Sequence, residues 1–146
     1  METIKIKRTD KNAKIPMHGS EYAAGYDLYA CTTNPITIPP HSTVKVGTGL
    51  AMEIPNGYFG AIFARSGLAT KQGLRPANAV GVIDSDFRNE VIVALHNDTV
   101  LPKTIEPKER IAQLVVIPYL PLEFELVDEL SDTERGSGGF GSTGKM

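Results

Sequence analysis

The sequence has little of what several common classes of protein require. Cys31 is the only cysteine, so the chain can form no intrachain disulfide and no cysteine-based zinc cluster. No apolar run approaches the length of a membrane span, and the first residues, METIKIKR, contain no apolar signal core. The formal net charge of -2 argues against a nonspecific surface for nucleic acid or for an anionic membrane. These absences predict an intracellular, cytoplasmic protein that binds neither nucleic acid nor membrane.

Common catalytic motifs are missing as well. The three histidines, His18, His41 and His96, do not have the spacing of a zinc site. There is no Gly-x-x-x-x-Gly-Lys-Ser/Thr phosphate-binding loop, because the Gly-x-x-x-x-Gly-Lys match at residues 139–145 is followed by Met146, and there is no Gly-x-Ser-x-Gly nucleophile turn. The sequence therefore supports neither a P-loop nucleotidase nor a serine hydrolase.

What the sequence does contain is a series of short strand-like segments. With 146 residues, it is long enough for one domain with a substantial core. Apolar residues alternate through many segments separated by turn signals, which predicts a sandwich or barrel and not a βαβ fold. One short helix is predicted, with Ser66 as its N-cap and Gly73 as the glycine that ends it. The predicted fold is all-β, a jelly-roll barrel with one short helix. Residues 120–126 alternate again and are predicted to form a late strand.

The last part of the chain has a different composition. Residues 1–130 are predicted to form the jelly-roll domain, and residues 131–146 a flexible glycine-rich tail. Between Arg135 and Lys145 the only large apolar side chain is Phe140, so this segment cannot bury enough surface to order itself. The same tail carries a cation, hydroxyl groups and one ring, a combination that suits a lid over an anionic ligand with a flat ring.

Residues 81–91, GVIDSDFRNEV, lie between two alternating segments and are predicted to form a hairpin tip. Asp84 or Asp86 would supply a base there, Phe87 a flat apolar surface and Arg88 an anchor for charge. The same residues are also typical of an ordinary turn, because Asp and Ser side chains hydrogen-bond their own backbone. The hairpin by itself leaves both interpretations open.

Other polar residues stand in unusual places. Asp27 lies in a predicted strand, which disfavours aspartate, so we expect a specific role, such as holding Mg²⁺ beside a polyphosphate. Gln113 lies inside an apolar run, where an amide is costly unless it is hydrogen-bonded. Residues 65–67 combine a guanidinium with the N–H groups of a helix start, which is typical of an anion site and also of plain capping. Arg110 is interpreted as a rim residue paired with a nearby acid such as Glu109 or Asp128.

Five segments resemble, in order, the five motifs of the trimeric dUTPases, the deoxyuridine 5′-triphosphate nucleotidohydrolases. They are AGYDL at 24–28, RSGLA at 65–69, GVIDSDF at 81–87, RIAQL at 110–114 and RGSGGFGSTG at 135–144. Five motifs in order outweigh the interpretation of Asp84 as a plain turn residue. The resemblance implies a jelly-roll homotrimer with three shared active sites, which hydrolyses dUTP to dUMP and pyrophosphate with Mg²⁺. Such an enzyme would limit uracil incorporation into DNA and supply dUMP for dTMP synthesis.

The resemblance also implies a role for single residues. Asp84 matches the catalytic carboxylate that orients and activates a water for in-line attack at the α-phosphorus. Asp27 matches a carboxylate that contacts Mg²⁺ through a water. Phe87 matches the ring that sits against the deoxyribose, and Phe140 matches the ring that stacks on uracil.

The remaining substrate contacts fall on three segments, one from each of three subunits. One subunit would bind phosphates through residues near two strand ends: Arg65, Ser66, Gly67 and Gln113. A second would read uracil with a strand-like segment: Asn78, Gly81, Val82 and Ile83. A third would contribute its tail, with γ-phosphate contacts from Arg135 and two hydroxyls: Arg135, Gly141, Ser142 and Thr143.

Three residues depart from the usual family pattern. Phe87 replaces a tyrosine, so discrimination against UTP is expected to rest on sterics and not on a phenol hydrogen bond. Asn89 replaces a glycine and is expected to tolerate a positive φ there. Lys108 also stands where glycine is common, which affects only a surface turn.

Two other functions are considered on the same scaffold. A dCTP deaminase relies on a glutamate in the strand after the hairpin, where this chain has Ala94, and this difference argues against deamination. A non-catalytic nucleotide-binding regulatory protein is the alternative to the enzyme. The presence of Asp84, Arg135 and Phe140 favours hydrolysis over that alternative.

Overall fold

A computed structural model of the chain describes residues 2–141 and 143–144, so the predicted tail residue Ser142 lies outside the described residues. The described part contains short strands and a seven-residue helix. They are β1 (Lys5–Arg8), β2 (Tyr26–Tyr29), β3 (Ile36–Ile38), β4 (Thr43–Gly47), β5 (Leu50–Glu53), β6 (Tyr58–Phe63), α1 (Ser66–Gln72), β7 (Leu74–Pro76), β8 (Gly81–Ile83), β9 (Ile92–Asn97), β10 (Lys103–Ile105) and β11 (Arg110–Pro118). No helix in the described ranges has the length and apolar character needed to cross a membrane.

The strands form two larger sheets and two separate pairs. One sheet has the order β2-β11-β6-β8 and the other the order β4-β9-β7, while β1 pairs with β5 and β10 pairs with β3. Every pairing is antiparallel. Strands far apart in sequence, such as β2 and β11, become neighbours, as they do in Greek-key and jelly-roll folds. The predicted all-β jelly-roll fold with one short helix is confirmed.

The core consists mainly of aliphatic side chains from the two larger sheets and from the two strand pairs. Leu28, Ile38, Leu95 and Ile111 are completely buried. Burial of each such side chain contributes about 1.5–3 kcal/mol to folding. The apolar run that contains Gln113 forms β11, a central strand that pairs with β2 on one side and with β6 on the other. β11 therefore contributes side chains to the core and also positions the polar residues at its start.

The segment with Asp84 is not the tip of a simple hairpin. β8 pairs with β6, whereas β9 pairs with β4 and with β7, where Pro76 lies opposite Leu95. Residues 77–91 therefore form a long excursion between β7 and β9, and β8 runs along the other sheet. The prediction of two paired strands on either side of Asp84 was wrong, because alternation identifies strands but does not identify their partners.

Local details correct three further predictions. Arg65, and not Ser66, occupies the N-cap of α1, with extended backbone angles (φ -89, ψ 134) and without a side-chain cap hydrogen bond. Gly73 ends α1 in the left-handed conformation, as predicted. Residues 120–126 form no strand and are exposed. Asn89 is not at positive φ, whereas Lys108 has a φ of 65, so the glycine-like turn lies at the lysine.

Candidate active site

One cavity brings together polar residues from β2, β11 and the start of α1. Its volume is about 420 Å³. Five polar side chains contribute to its lining: Asp27, Arg65, Ser66, Arg110 and Gln113. Four of these five were predicted as site residues, and Arg110 was predicted only as a rim residue.

Asp27 lies at the centre of a charged network in this cavity. Its Oδ1 accepts a hydrogen bond from Nε of Arg65 at 2.9 Å, and its Oδ2 lies 3.7 Å from Nη1 of Arg110. The side chain of Asp27 is only 16% exposed, so this pair is screened less than a surface pair. The two guanidinium groups carry more positive charge than one carboxylate neutralises, so the cavity has an excess of positive charge that suits an anionic ligand.

An irregularity in β11 explains why Arg110 reaches the cavity. Arg110 and Gln113 are three residues apart, so a regular strand would place them on opposite faces of the sheet. The register of β11 against β2 shifts between Arg110 and Ala112, with Arg110 opposite Tyr29 and Ala112 opposite Leu28. This bulge turns both polar side chains towards one cavity. The sequence analysis missed Arg110 because periodicity does not reveal a bulge.

Gln113 lies directly opposite Asp27 in the β2–β11 pairing. Its Nε2 donates a hydrogen bond to the carbonyl of Ala64 at 2.9 Å, which removes the cost of an amide in an apolar strand. A Cβ added to Gly25 would overlap Oε1 of Gln113, so a larger residue there would force the Gln113 amide to move. No role for Gly25 was predicted from the sequence.

Arg65 and the first turn of α1 form another wall. The carbonyl of Arg65 accepts the first helical hydrogen bond, from the N–H of Ala69 at 2.9 Å. Ser66 and Gly67 are exposed, and no atom lies within 4 Å of a Cβ built on Gly67. The first N–H groups of a helix have no partner inside the helix. A ligand can therefore approach this backbone closely.

Glu109 adds a half-buried carboxyl group next to Arg110 in the sequence. Its Oε2 is shielded from solvent and has no hydrogen-bond partner within the described residues. Burial, helped by the nearby charge of Glu106, raises the pKa of Glu109 above its ordinary value, and the charge of Arg65 partly offsets this shift. The sequence analysis considered Glu109 only as a partner for Arg110, and these two residues form no ion pair in the described part of the chain.

The loop with Asp84 is separate from this cavity. Asp84 is exposed, and its carbonyl accepts a hydrogen bond from the N–H of Phe87 at 3.1 Å. Arg88 donates from Nη1 to the carbonyls of Ser85 (2.6 Å) and Phe87 (3.2 Å). The guanidinium predicted to anchor a ligand charge therefore holds the loop in shape and leaves the carboxylate of Asp84 in solvent.

The predicted uracil-reading segment lies on the same excursion. Asn78 is exposed and starts a tight turn, in which its carbonyl accepts from the N–H of Val80 at 2.7 Å and Ala79 has a φ of 62. Gly81 and Ile83 are buried against β6, whereas Val82 is 62% exposed. The outer face of this segment is open to a ligand or a partner.

The tail residues that the structure describes lie away from the cavity. Phe140 is fully exposed. Arg135 donates from Nη2 to the carbonyl of Gly139 at 3.1 Å, and Gly141 has a φ of 74. Thr143 is exposed. The predicted site residues thus fall into three groups on this chain: the cavity around Asp27, the loop around Asp84 and the tail.

Comparisons with known proteins agree with these features. The family model described as dUTPase matches residues 11–144. A deoxyuridine 5′-triphosphate nucleotidohydrolase of Desulfitobacterium hafniense is 50% identical over 149 residues, with 99% of each chain covered. The nucleotidohydrolase of the same name from Nautilia profundicola is 47% identical, with 97% of this chain and 99% of its own covered.

Solved structures show the same relationship. The dUTPase of Staphylococcus bacteriophage 80alpha, in complex with dUPNHPP, superposes with a TM-score of 0.89 at 29% identity, and 99% of each chain is covered. The jelly-roll topology and all five motif segments are thus placed within one family. The chain belongs to the dUTPase family.

Proposed function

We propose that this chain hydrolyses dUTP to dUMP and pyrophosphate in active sites that copies of the chain share. The family assignment and the names of the full-length relatives support hydrolysis of dUTP. The observation that carries the sharing is the separation of the cavity around Asp27 from the exposed loop around Asp84. One copy has the cationic cavity, but its own Asp84, the carboxylate proposed to activate water, lies outside that cavity. One copy alone therefore does not form a complete site.

Exposed apolar side chains support assembly into the predicted homotrimer. Val82 and Ile92, close to the Asp84 loop, are 62% and 49% exposed. Residues 119–130 have no regular structure, and their large apolar side chains are all exposed: Leu120, Leu122, Phe124, Leu126, Val127 and Leu130. An exposed apolar surface of this extent is typical of a subunit interface.

The pattern of residues 119–130 fits a surface on another copy. Glu123 and Glu125 alternate there with apolar residues, whereas β1 alternates lysines with Ile6. Within the described residues β1 pairs only with β5, so its second edge is open. An apolar groove of about 430 Å³ lies beside it, with Ile6, Tyr58 and Val116 in its lining. In the proposed trimer, the segment of one copy covers this edge and groove of the next.

The cavity around Asp27 is proposed to bind the phosphate chain. Arg65 and Arg110 supply guanidinium groups that match phosphate oxygens, and Asp27 fixes their positions. Ser66 and Gly67 present the exposed backbone of the first helical turn, where an anion interacts favourably with the unpaired N–H groups. Gln113 completes the wall opposite the helix. These contacts position the α-phosphorus without forming a covalent bond to it.

Asp84 of a neighbouring copy is proposed to activate the water. An ionised carboxylate accepts a hydrogen bond from a water and takes its proton as the oxygen attacks the α-phosphorus. The bond from that phosphorus to the bridging oxygen breaks, and pyrophosphate leaves with the electron pair. Arg135 of the tail would meet the charge that develops on the leaving group. The tail would also exclude bulk water, with Phe140 stacked on uracil.

The base and sugar are proposed to lie on the segment at 78–87. Hydrogen bonds from a strand-like backbone and the Asn78 amide would accept the edge of uracil and reject cytosine, whose amine exchanges an acceptor for a donor. Phe87 presents its ring beside Asp84, so it would exclude a 2′-hydroxyl by contact alone. It cannot form the hydrogen bond that a tyrosine would form.

The residues fit Mg²⁺ only as an ion that arrives with the substrate. Within the described residues no group of three or more His, Cys, Asp or Glu could hold a metal ion. Asp27 is the one carboxylate in the cavity lining, and two guanidinium groups already contact it. Mg²⁺ is often held by substrate phosphates, waters and one or two carboxylates, so Asp27 would contact it through a water. Bound in this way, the ion would neutralise phosphate charge.

The direct test is pyrophosphate release from dUTP, dCTP, UTP and dTTP in parallel, with Mg²⁺ and again with EDTA. We expect release from dUTP alone and its loss in EDTA. A protein that binds dUTP but releases no pyrophosphate would contradict hydrolysis and favour the non-catalytic regulatory role. The cellular role that follows from hydrolysis is to limit uracil in DNA and to supply dUMP for dTMP synthesis, in the cytoplasm.

A further inference from the structure

A second cavity, here called the basic cavity, is lined by cations without any carboxylate. Its volume is about 400 Å³, and it contains the side chains of Arg8, Lys14 and Lys108. The amide of Asn12 and the apolar side chains of Ile15 and Met17 complete much of the lining. The basic cavity shares no lining residue with the cavity around Asp27.

The three cations come from separate parts of the chain. Arg8 ends β1, Lys14 lies in the loop before β2, and Lys108 lies in the turn before β11. None of the ion pairs among the described residues includes any of them. A convergence of like charges without a counter-charge is unfavourable, which is unusual for a chain with a net charge of -2.

Two of the cations are held in place without a carboxylate. Arg8 donates from Nε to the carbonyl of Ala13 at 3.0 Å, which orients its guanidinium and leaves the terminal nitrogens available. The Nζ of Lys14 lies 4.2 Å from the centroid of the Tyr29 ring. These contacts order the cationic groups and neutralise neither of them, as in a preformed anion site.

The backbone at Lys108 points to the same conclusion. Its φ of 65 lies in the left-handed region, which a side chain makes unfavourable and which glycine adopts freely. Its N–H donates to the carbonyl of Ala30 at 2.9 Å, so the turn itself needs only the backbone. A lysine at this position carries a conformational cost and adds only an ammonium group to the cavity. Strain of this kind is typical of functional positions.

We propose that the basic cavity is a binding site for a small phosphate-bearing anion. Its volume is in the range of small-molecule sites, about 300–1,000 Å³. Three cations match the charge of a pyrophosphate or of a nucleotide phosphate, and the apolar floor of Ile15 and Met17 leaves room for an organic group. Lys108 is two residues before Arg110, and the N–H of Asp27 donates to the carbonyl of Met17 at 2.7 Å. The basic cavity is thus next to the candidate active site in the fold.

The experiment is calorimetric titration of the full chain with inorganic pyrophosphate and, separately, with dUMP, without Mg²⁺. The variants are Lys108→Gly and Lys14→Gln in the basic cavity, Arg65→Gln in the cavity around Asp27, and Lys45→Gln as an exposed control on β4. We expect binding about tenfold weaker in the two basic-cavity variants, the effect of one charge-assisted hydrogen bond. Binding to the basic cavity should be unchanged in Lys45→Gln. In Arg65→Gln, binding to the basic cavity should remain even if binding to the cavity around Asp27 is lost.

The choice of Lys108→Gly separates binding from folding. Glycine relieves the positive φ, so this variant should melt at the same temperature as the parent chain or higher. Equal losses of pyrophosphate and dUMP binding would identify a phosphate-only site, and a larger loss for dUMP a nucleotide site. Binding that survives Lys108→Gly and disappears in Arg65→Gln would overturn the proposal. No pyrophosphate binding in the parent chain would overturn it as well.

Discussion

The cavity around Asp27 and the loop around Asp84 differ in how much of their surroundings one chain supplies. In the cavity, Asp27 contacts two guanidinium groups and Gln113 contacts a backbone carbonyl. In the loop, Arg88 binds carbonyls of its own loop, and the carboxylate of Asp84 has no partner within the described residues. The half proposed to bind phosphate is therefore preformed in a single copy. In the proposed mechanism, the half with Asp84 becomes a site only when another copy faces it.

This difference predicts that loss of Asp84 affects chemistry and not binding. In Asp84→Asn the amide cannot accept the proton of the attacking water, so kcat should fall by about 10³-fold. The Kd for a non-hydrolysable dUTP analogue should change little, because the phosphate contacts lie in the other half. Steady-state rates and calorimetric titration measure the two quantities. Asp86→Asn, two residues along the same loop, is the matched control and should retain turnover.

The tail is like the Asp84 loop in this comparison, because its one ring, Phe140, is fully exposed. Deletion of residues 136–146 should leave the melting temperature nearly unchanged, because the described side chains of this segment are exposed. Turnover should fall by about 10²-fold, because the deletion removes the proposed contacts of Phe140 and Thr143 and leaves the substrate less well positioned. Hydrolysis at the full rate by the truncated chain would remove the lid from the mechanism.

Within the preformed half, Asp27→Asn should affect both stability and binding. It leaves two guanidinium groups without their counter-charge, and since Asp27 is mostly buried we expect a loss of about 1 kcal/mol in the free energy of unfolding. KM for dUTP should rise more than kcat falls. Asp98→Asn is the control, because Asp98 pairs with Arg75 on the surface, away from the cavity, and should leave KM for dUTP unchanged. Chemical denaturation and steady-state kinetics test this prediction, and equal effects of the two variants would contradict it.

The smallest effect concerns Glu109, beside the preformed half. Burial raises the pKa of this carboxyl above its ordinary value of 4.5, so the folded protein holds the proton more tightly than the unfolded chain. Its contribution to stability is therefore fully present below 4.5 and is lost as the pH rises through the raised pKa. Glu109→Gln should remove this loss and raise the melting temperature at neutral pH. Melting curves across this pH range, with Glu21→Gln as the exposed control, measure the change.

The two halves also differ in how far the sequence predicts them. The strand alternation predicts the sheet segments, and Gly73 ends α1 as its position indicates. The resemblance picks out Asp27, Arg65 and Gln113, which do line one cavity. Arg110 was missed because it reaches that cavity through a bulge, which depends on the pairing of β11 with β2 and not on local periodicity.

Pairing is also the reason for the errors around Asp84. The segment that contains β8 pairs with β6 and not with β9, since long-range packing and not alternation selects the partner. The apolar alternation at residues 120–126 is present, but this segment joins no strand within the described residues. Both errors arise where a sequence pattern needs a partner from elsewhere, and for residues 120–126 we propose that the partner is another copy.

The central claim is that one copy supplies the cavity and another supplies Asp84. The most direct measurement mixes two inactive variants, Asp84→Asn and Arg65→Gln, by folding them together in equal amounts, and compares dUTP hydrolysis with each variant alone. If neighbouring copies share each site, random assembly gives about a quarter of the sites both an intact cavity and an intact loop, and activity should return to about that fraction. A mixture no more active than the two separate variants would show that each site is built from a single chain.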